Sequence, residues 1–275
     1  MSSPVRLVVS DIDGTLVRSD KSLSDGVVAA VKRLEAAGVP FTLISARPPS
    51  GMLWIAEKLG LTAPIGAFNG GTVVKPDGTI VSAVRLTPDV AKRALKLIDK
   101  PDVIPWVFHE GNWHAARVDE EHTPREVKSA NQQPIVGADF SALLDAVDKI
   151  VAVSDDHDML AELEKTVAEA LGDGATVARS QLYYLDITAP AANKGAGIAA
   201  LAQADGVPLE AVVAIGDQRN DMPMFARAGV SIAMAQGPEE VRAAAKHVTG
   251  SNDEDGVAQA IDAIILPLAK GQEPA

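Results

Sequence analysis

Short apolar runs rich in β-branched residues alternate with amphipathic stretches from the start of the chain. Val5 to Val9, apolar apart from Arg6, reads as a strand buried on both faces. Leu23 to Gly38 follows, with Val27, Val31 and Leu34 on one helical face. Ser22 or Ser24 can cap its start, and Gly38 stands where helices end. Phe41 to Ile44 is a second buried strand, and Pro48 and Pro49 suit the first turn of a helix reaching about Leu59. Strand, helix, strand, helix in this order predicts a parallel sheet with crossover helices.

The rhythm then changes. Asn69-Gly70 and Asp77-Gly78 are hairpin-type turn signals between short apolar runs. Beyond Ala83 helices and strands mix. Leu95 and Leu97 belong to a helical stretch, and Ile104 to Phe108 and Trp113 to Val118 read as strands around a turn at Glu110-Gly111-Asn112. Ile150 to Val153, Thr176 to Ala178 and Leu182 to Ile187 read as further strands. Strand–helix alternation returns with Gly195 to Ala204, Val212 to Ile215, Pro223 to Ala228 and Val230 to Met234. The pattern predicts an α/β protein: a doubly wound, Rossmann-like parallel-sheet core formed by residues 1–82 and 189–275, with an α/β domain inserted at 83–188. The tail after Leu268 is expected to fray.

Composition narrows the chemistry. The 275 residues suffice for two domains, and 47% hydrophobic with 23% charged residues is the profile of a soluble globular chain. A net charge of −12 argues against nucleic acid and anionic membrane surfaces as partners. The absence of cysteine removes disulfides, thiolate catalysis and thiolate-bound metal. The opening residues do not form a signal peptide and no apolar run reaches membrane-spanning length, so a cytoplasmic monomer or homodimer is expected.

Four segments carry chemistry. Asp11-Ile12-Asp13-Gly14-Thr15 follows the first strand directly, and open α/β sheets form sites at the carboxyl ends of their strands. Carboxylates at i and i+2 leave an extended segment on the same side. Such a pair can divide labour between an ionised nucleophile or metal ligand and a protonated acid. An EF-hand loop fits poorly, since its glycine belongs at the sixth position and Gly14 is at the fourth. Asp217, Asn220 and Asp221, in Gly216-Asp217-Gln218-Arg219-Asn220-Asp221 after Val212 to Ile215, offer hard oxygen atoms suited to Mg²⁺. Ser45-Ala46-Arg47 ends another strand, where a hydroxyl and backbone N–H groups can hold a phosphoryl oxygen. Lys194, in Asn193-Lys194-Gly195, sits at a helix start against the macrodipole, which calls for a nearby anion. Each segment alone also reads as an ordinary turn or cap.

Taken in order, DIDGTL (11–16), Ser-Ala-Arg (45–47), Asn-Lys-Gly (193–195) and GDQRND followed by Met222 resemble the four motifs of the haloacid-dehalogenase (HAD) superfamily. The resemblance is specifically to the Cof-type phosphatases with a large inserted α/β cap of type IIB. It covers nearly all of 1–82 and 189–275. Asn69-Gly70 after an apolar strand also resembles that family, while Ala46 stands where glycine is common. The resemblance implies a Mg²⁺-dependent phosphatase of a small phosphomonoester. Asp11 would be the nucleophile that becomes an aspartyl-phosphate, and Asp13 the general acid and base. Ser45, Ala46, Lys194 and Asn220 would bind the phosphoryl group. Asp11, the carbonyl of Asp13, Asp217 and Asp221 would form the metal surroundings. Gly14, Arg47, Asn69 and Asn193 would stand behind these or toward the substrate.

Trp106, His109, Trp113, His114, Arg117, Arg179 and Tyr184 are the inserted domain's candidates for substrate contact. Two alternatives remain open: a phosphosugar mutase of phosphomannomutase type on the same core, and a non-catalytic phosphate-responsive module such as a receiver domain. The mutase needs a cationic clamp for a second phosphate. Residues 83–188 carry 11 Lys and Arg against 19 Asp and Glu, which disfavours it. A receiver needs neither an inserted domain nor the Asp11–Asp13 pair.

Overall fold

The computed structural model describes residues 5–137 and 139–272. The chain runs β1 (Leu7–Ser10), α1 (Asp25–Ala36), β2 (Phe41–Leu43), α2 (Ser50–Leu59), β3 (Ile65–Ala67), β4 (Thr72–Val74), β5 (Ile80–Ala83) and α3 (Pro88–Leu97). It continues through β6 (Ile104–His109), β7 (Asn112–Ala115), α4 (His122–Ala130), β8 (Ile135–Val136), β9 (Val147–Val153), α5 (His157–Leu171), β10 (Thr176–Gln181) and β11 (Tyr184–Thr188). It closes with α6 (Lys194–Ala204), β12 (Val212–Gly216), α7 (Met222–Phe225), β13 (Val230–Met234), α8 (Glu239–Ala244), β14 (His247–Thr249), α9 (Gly256–Ala260), a π-helical segment (Ile261–Ile265) and α10 (Leu266–Ala269). Two compact units result: one of residues up to 46, 52–81 and 193 onward, the other of 47–51 and 82–192.

The first unit is built on a five-stranded sheet in the order β14-β13-β12-β1-β2, every pairing parallel. Its strands are apolar on both faces because helices cover both. Leu7, Val9, Val212 and Ala214 pack with Ile198 and Leu201 of α6 and with Met224 and Phe225 of α7. On α1, Val27, Val31 and Leu34 are buried, and that helix lies against α9. Ser24 caps α1, its hydroxyl accepting from the Val27 N–H. A three-stranded sheet, β3-β4-β5, hangs beside β2 through a parallel bridge between Ile44 and Gly66.

The second unit carries a six-stranded sheet, β10-β11-β9-β6-β7-β8, antiparallel except where β7 meets β8. Val107, Ile150, Ala152, Leu185 and Ile187 bury one face against α3 and α5, which contribute Ala91, Ala94, Leu160, Leu163 and Val167. Glu110 and Gly111, with φ of 49° and 78°, close the β6–β7 hairpin. The repeated left-handed residues suit the twist of the two strands.

Several element bounds differ from the pattern reading. The first strand starts two residues later and includes Ser10, because the polar residue is as buried as its neighbours. The strand at Trp113 runs from Asn112 to Ala115, and β11 begins at Tyr184 because Leu182 and Tyr183 form the turn. Helix α7 is shorter than the Pro223 to Ala228 stretch. After Leu268 the chain does not splay at once: the N–H groups of Lys270, Gly271 and Gln272 return to the carbonyls of Pro267 and Leu268. The expected fraying of 273–275 lies outside the described residues.

Helix α6 meets the β3–β4 turn through two glycines. A Cβ on Gly197 would lie 2.6 Å from Ile44 Cδ1 and 2.8 Å from both the Asn69 carbonyl oxygen and the Gly70 Cα. Alanine favours a helix over glycine by about 1 kcal/mol. Overpacking against backbone costs about 1–3 kcal/mol, so the steric effect wins. Gly197→Ala is therefore expected to lower the melting temperature in a thermal unfolding scan, and a rise would show that the turn yields.

Candidate active site

Strand register gathers the chemically capable residues. Ser10 pairs with Ile215 on one side and with Leu43 on the other. Asp11, Ser45 and Asp217 therefore all emerge just past the carboxyl end of the sheet, and the Asp11 N–H is anchored on the Ile215 carbonyl at 2.9 Å. In open parallel sheets this is where ligands bind.

Lys194 is the hub. Asn193 caps α6 by accepting from the Ala196 N–H, which sets Lys194 as the first helical residue. The ammonium is 2.5 Å from Asp11 Oδ1 and 2.5 Å from Asp221 Oδ1, and the lysine is 2% exposed. The other oxygen of Asp221, Oδ2, accepts from the Asp217 and Gln218 N–H groups, each at 2.8 Å. Asp221 thus fastens Lys194 and the loop after β12 with one carboxylate. Asp217 is held separately: Thr15 donates to Oδ1 at 2.9 Å and the Gln218 amide to Oδ2 at 3.1 Å. Carboxylate oxygens of Asp11, Asp217 and Asp221 lie within 4.8 Å of one another.

Two glycines make room. At Gly216 a Cβ would meet the Asp221 carboxyl carbon at 2.4 Å; at Gly14, whose φ is +83°, it would meet Asp217 Oδ2 at 2.5 Å. The Gly14 carbonyl accepts from Gln236 at 2.5 Å.

The electrostatics are unbalanced. Burial is the main force on Asp11, pushing its carboxyl up to about 8; Lys194 opposes this, while Asp221 and Asp217 add to it. Burial also raises Asp217, with the hydrogen bond from Thr15 opposing. For Lys194 burial disfavours the charged form, but Asp11 and Asp221 outweigh it and hold the ammonium above the ordinary lysine range. Three carboxylates facing one ammonium leave an excess of two negative charges when all are ionised, the charge of one divalent cation. Hard oxygen donors without thiolates fit Mg²⁺.

The remaining sequence candidates divide. Asp13 is half-buried, its Oδ1 2.8 Å from Lys21 Nζ. Ser45 is buried, its N–H on the Gly66 carbonyl and its carbonyl accepting from the Asn69 N–H at 2.6 Å. Ala46 is half-buried beside it, and Asn69 stands in a turn where Phe68, Asn69 and Gly70 all have positive φ. Asn220 is exposed on the turn 219–221. Arg47 groups with the second unit, where its guanidinium donates to the Gly51 carbonyl. Within that unit Trp106 and Trp113 are fully buried edge-to-face at 4.8 Å, and His109 faces Asp145 at 3.0 Å. His114 is buried, which lowers its pKa, and Arg179 is bound to Glu164 at 2.9 Å. Tyr184 packs edge-on to Trp106, and Arg117 lines a cavity of about 360 Å³ with His122 and Asp155. The sequence reading missed four participants: Lys21, Gln218, Gln236 and, as an Asp217 ligand, Thr15. Thr15 and Gln218 carried a signal, as parts of the first motif and of the Gly216–Asp221 motif; Lys21 and Gln236 carried none.

Comparison with known proteins agrees with this geometry. Residues 8–261 match the family model described as haloacid dehalogenase-like hydrolase. A putative phosphatase of Haemophilus influenzae is 28% identical over 92% of this chain and 95% of its own. An HMP-PP phosphatase of Cronobacter sakazakii is 30% identical over 88% and 89%. The crystal structure of a haloacid dehalogenase-like hydrolase from Bacteroides thetaiotaomicron superposes with a TM-score of 0.87 at 27% identity, covering 94% of this chain and 99% of that one. Among the described residues no helix is long and apolar enough to cross a membrane.

The raised Asp11 predicts a pH-dependent stability. A carboxyl whose folded pKa exceeds its unfolded value binds protons more tightly when folded, so its contribution is present at low pH and lost as pH rises. The loss falls between the ordinary carboxylate value of 3.8 and about 8. Chelator-treated protein should show a melting temperature that declines from pH 5 to pH 8, less steeply in Asp11→Asn. Equal slopes in the two proteins would remove Asp11 as the cause.

Proposed function

Since this chain belongs to the haloacid dehalogenase-like hydrolase family and is a phosphatase, we propose that it hydrolyses a small phosphomonoester through a phosphoryl group carried on Asp11. The observation that carries this reading is the contact of the Lys194 ammonium with Asp11 Oδ1, beside Asp217, at the carboxyl end of β1. That arrangement presents a buried nucleophile, a fixed cation and a hard-oxygen metal set at one point.

The reaction has two halves. An oxygen of the Asp11 carboxylate attacks phosphorus, the ester P–O bond breaks, and the departing oxygen takes a proton from Asp13. Asp13, now ionised, removes a proton from water, whose oxygen attacks the same phosphorus. Inorganic phosphate leaves and the Asp11 carboxylate is restored. Lys194, the Ser45 hydroxyl, the Ala46 N–H and Asn220 are assigned to the phosphoryl oxygens, where charge must be neutralised throughout. Asp11, the Asp13 carbonyl and Asp217 would hold Mg²⁺, with Asp221 behind them on Lys194 and the loop backbone. The ion would supply the charge that offsets the carboxylates against an incoming dianion. The second unit is assigned the role of a substrate-specificity cap.

Transfer to water, and not back to a sugar, is supported by the arginines of the second unit. Of Arg117, Arg125 and Arg179, the arginines of that unit considered for a second phosphate, Arg125 is paired with Glu121 at 2.9 Å and Arg179 with Glu164 at 2.9 Å, so two of the three already have carboxylate partners.

Asp11→Asn should remove essentially all turnover, on the order of 10³-fold or more, while the protein stays folded. Substantial phosphate release by that variant would exclude a covalent aspartyl intermediate. With mannose and glucose phosphates, release of inorganic phosphate should proceed without a sugar bisphosphate. Isomer formation stimulated by a bisphosphate, with little phosphate released, would instead establish a mutase.

A further inference from the structure

The loop after the first motif is fastened more heavily than its exposure suggests. Arg18 N–H bonds to the Ser22 carbonyl and Lys21 N–H to the Arg18 carbonyl, closing a tight turn. Ser19 binds Asp253 through both its N–H and its hydroxyl, at 2.9 and 2.7 Å, and Arg18 reaches Asp255 at 2.9 Å. Asn252 donates to the Val17 carbonyl at 3.0 Å, and Val17 bridges to Asp13. The product of all this is one contact: Lys21 Nζ on Asp13 Oδ1 at 2.8 Å.

That contact is not a stability device. Lys21 has φ of +69°, the left-handed region that a lysine enters only at a cost. Its side chain is 46% exposed and that of Asp13 35%. An ion pair so open to water returns less than the backbone strain takes. Strained residues held in place by their surroundings cluster where function needs a fixed geometry.

We propose that Lys21 is the positioning residue for Asp13. By holding Oδ1 it fixes the orientation of the carboxyl group that delivers and receives the travelling proton. This rests on the reading of Asp13 as general acid and base. Lys21 touches neither the phosphoryl group nor the leaving group in this assignment; it acts through the carboxylate it restrains.

Leaving-group dependence tests the idea. An alkoxide needs a proton as it departs; p-nitrophenolate does not. The quantity to read is kcat/KM, which ends at formation of the phosphorylated enzyme and so contains leaving-group departure. Lys21→Met, Lys21→Arg and Asp13→Asn are compared with wild type on p-nitrophenyl phosphate and on a primary alkyl phosphate that wild type hydrolyses, with Mg²⁺ present. Lys21→Met should lose roughly ten-fold or more in kcat/KM on the alkyl ester beyond its loss on the aryl ester, as Asp13→Asn should to a larger extent. Lys21→Arg should recover most of the difference, and the melting temperature of all three should stay near wild type. Equal losses on both esters for Lys21→Met, or no loss on either, would overturn the proposal while Asp13→Asn remained selective. Equal losses for Asp13→Asn itself would overturn the acid–base reading of Asp13, and this inference with it.

Discussion

An ammonium enclosed by two carboxylates organises the first unit. A buried charge without a partner is costly, and breaking a buried pair is worse than never having formed it. Lys194 sits at the start of α6, where the helix dipole repels it, so its two acids must overcome both burial and the dipole. One acid ends β1 and the other lies beyond β12. The same contact therefore ties together the first helix after the second unit, strand β1 and the loop after its neighbour β12. Gly197, pressed against Gly70, sets how closely α6 can approach the β3–β4 turn, and with it the point from which the ammonium reaches.

The cluster is deliberately incomplete as a structural core. A packed interior would neutralise its charges; here the carboxylates exceed the cation, and Asp11 is driven toward its neutral form by burial. The same imbalance that weakens the fold at neutral pH would be relieved by a positive charge placed among these carboxylates. Activity and stability thus draw on one set of residues, which is why substitution at this point affects both.

Much of this was legible in the chain. Asp11 and Asp217 closely follow short apolar runs, Leu7 to Val9 and Val212 to Ile215, and a parallel sheet brings such strand ends to one edge. The lysine at the start of α6 was conspicuous because it opposes the dipole. Other features were not legible for physical reasons. Lys21 lies in a polar loop where lysines are commonplace, and only the left-handed backbone and the distance to Asp13 single it out. Gln236 acts through an amide whose target, the Gly14 carbonyl, is set by tertiary folding, while Gln218 turns its amide on the adjacent Asp217. Arg47 reads as part of the third segment, yet it groups with residues 47–51 in the second unit, where it donates to the Gly51 carbonyl. Helices α4 and α5 are surrounded by charged residues, and their apolar stripes are narrow enough to be lost among the flanking strands.

The pairing of β1 with β12 has a consequence for how the chain is made. Leu7 lies beside Val212, so β1, which can pair early with β2, waits for its second partner until about two hundred further residues have been made. Residues 82–192 emerge in between and form a compact body largely from themselves. At ordinary translation rates the wait is roughly 10–40 s, long compared with the folding of such a body. During that interval β1 is an apolar segment without its β12 neighbour. The first unit, which holds both β1 and β12, consequently completes its sheet only after residues 82–192 have been made.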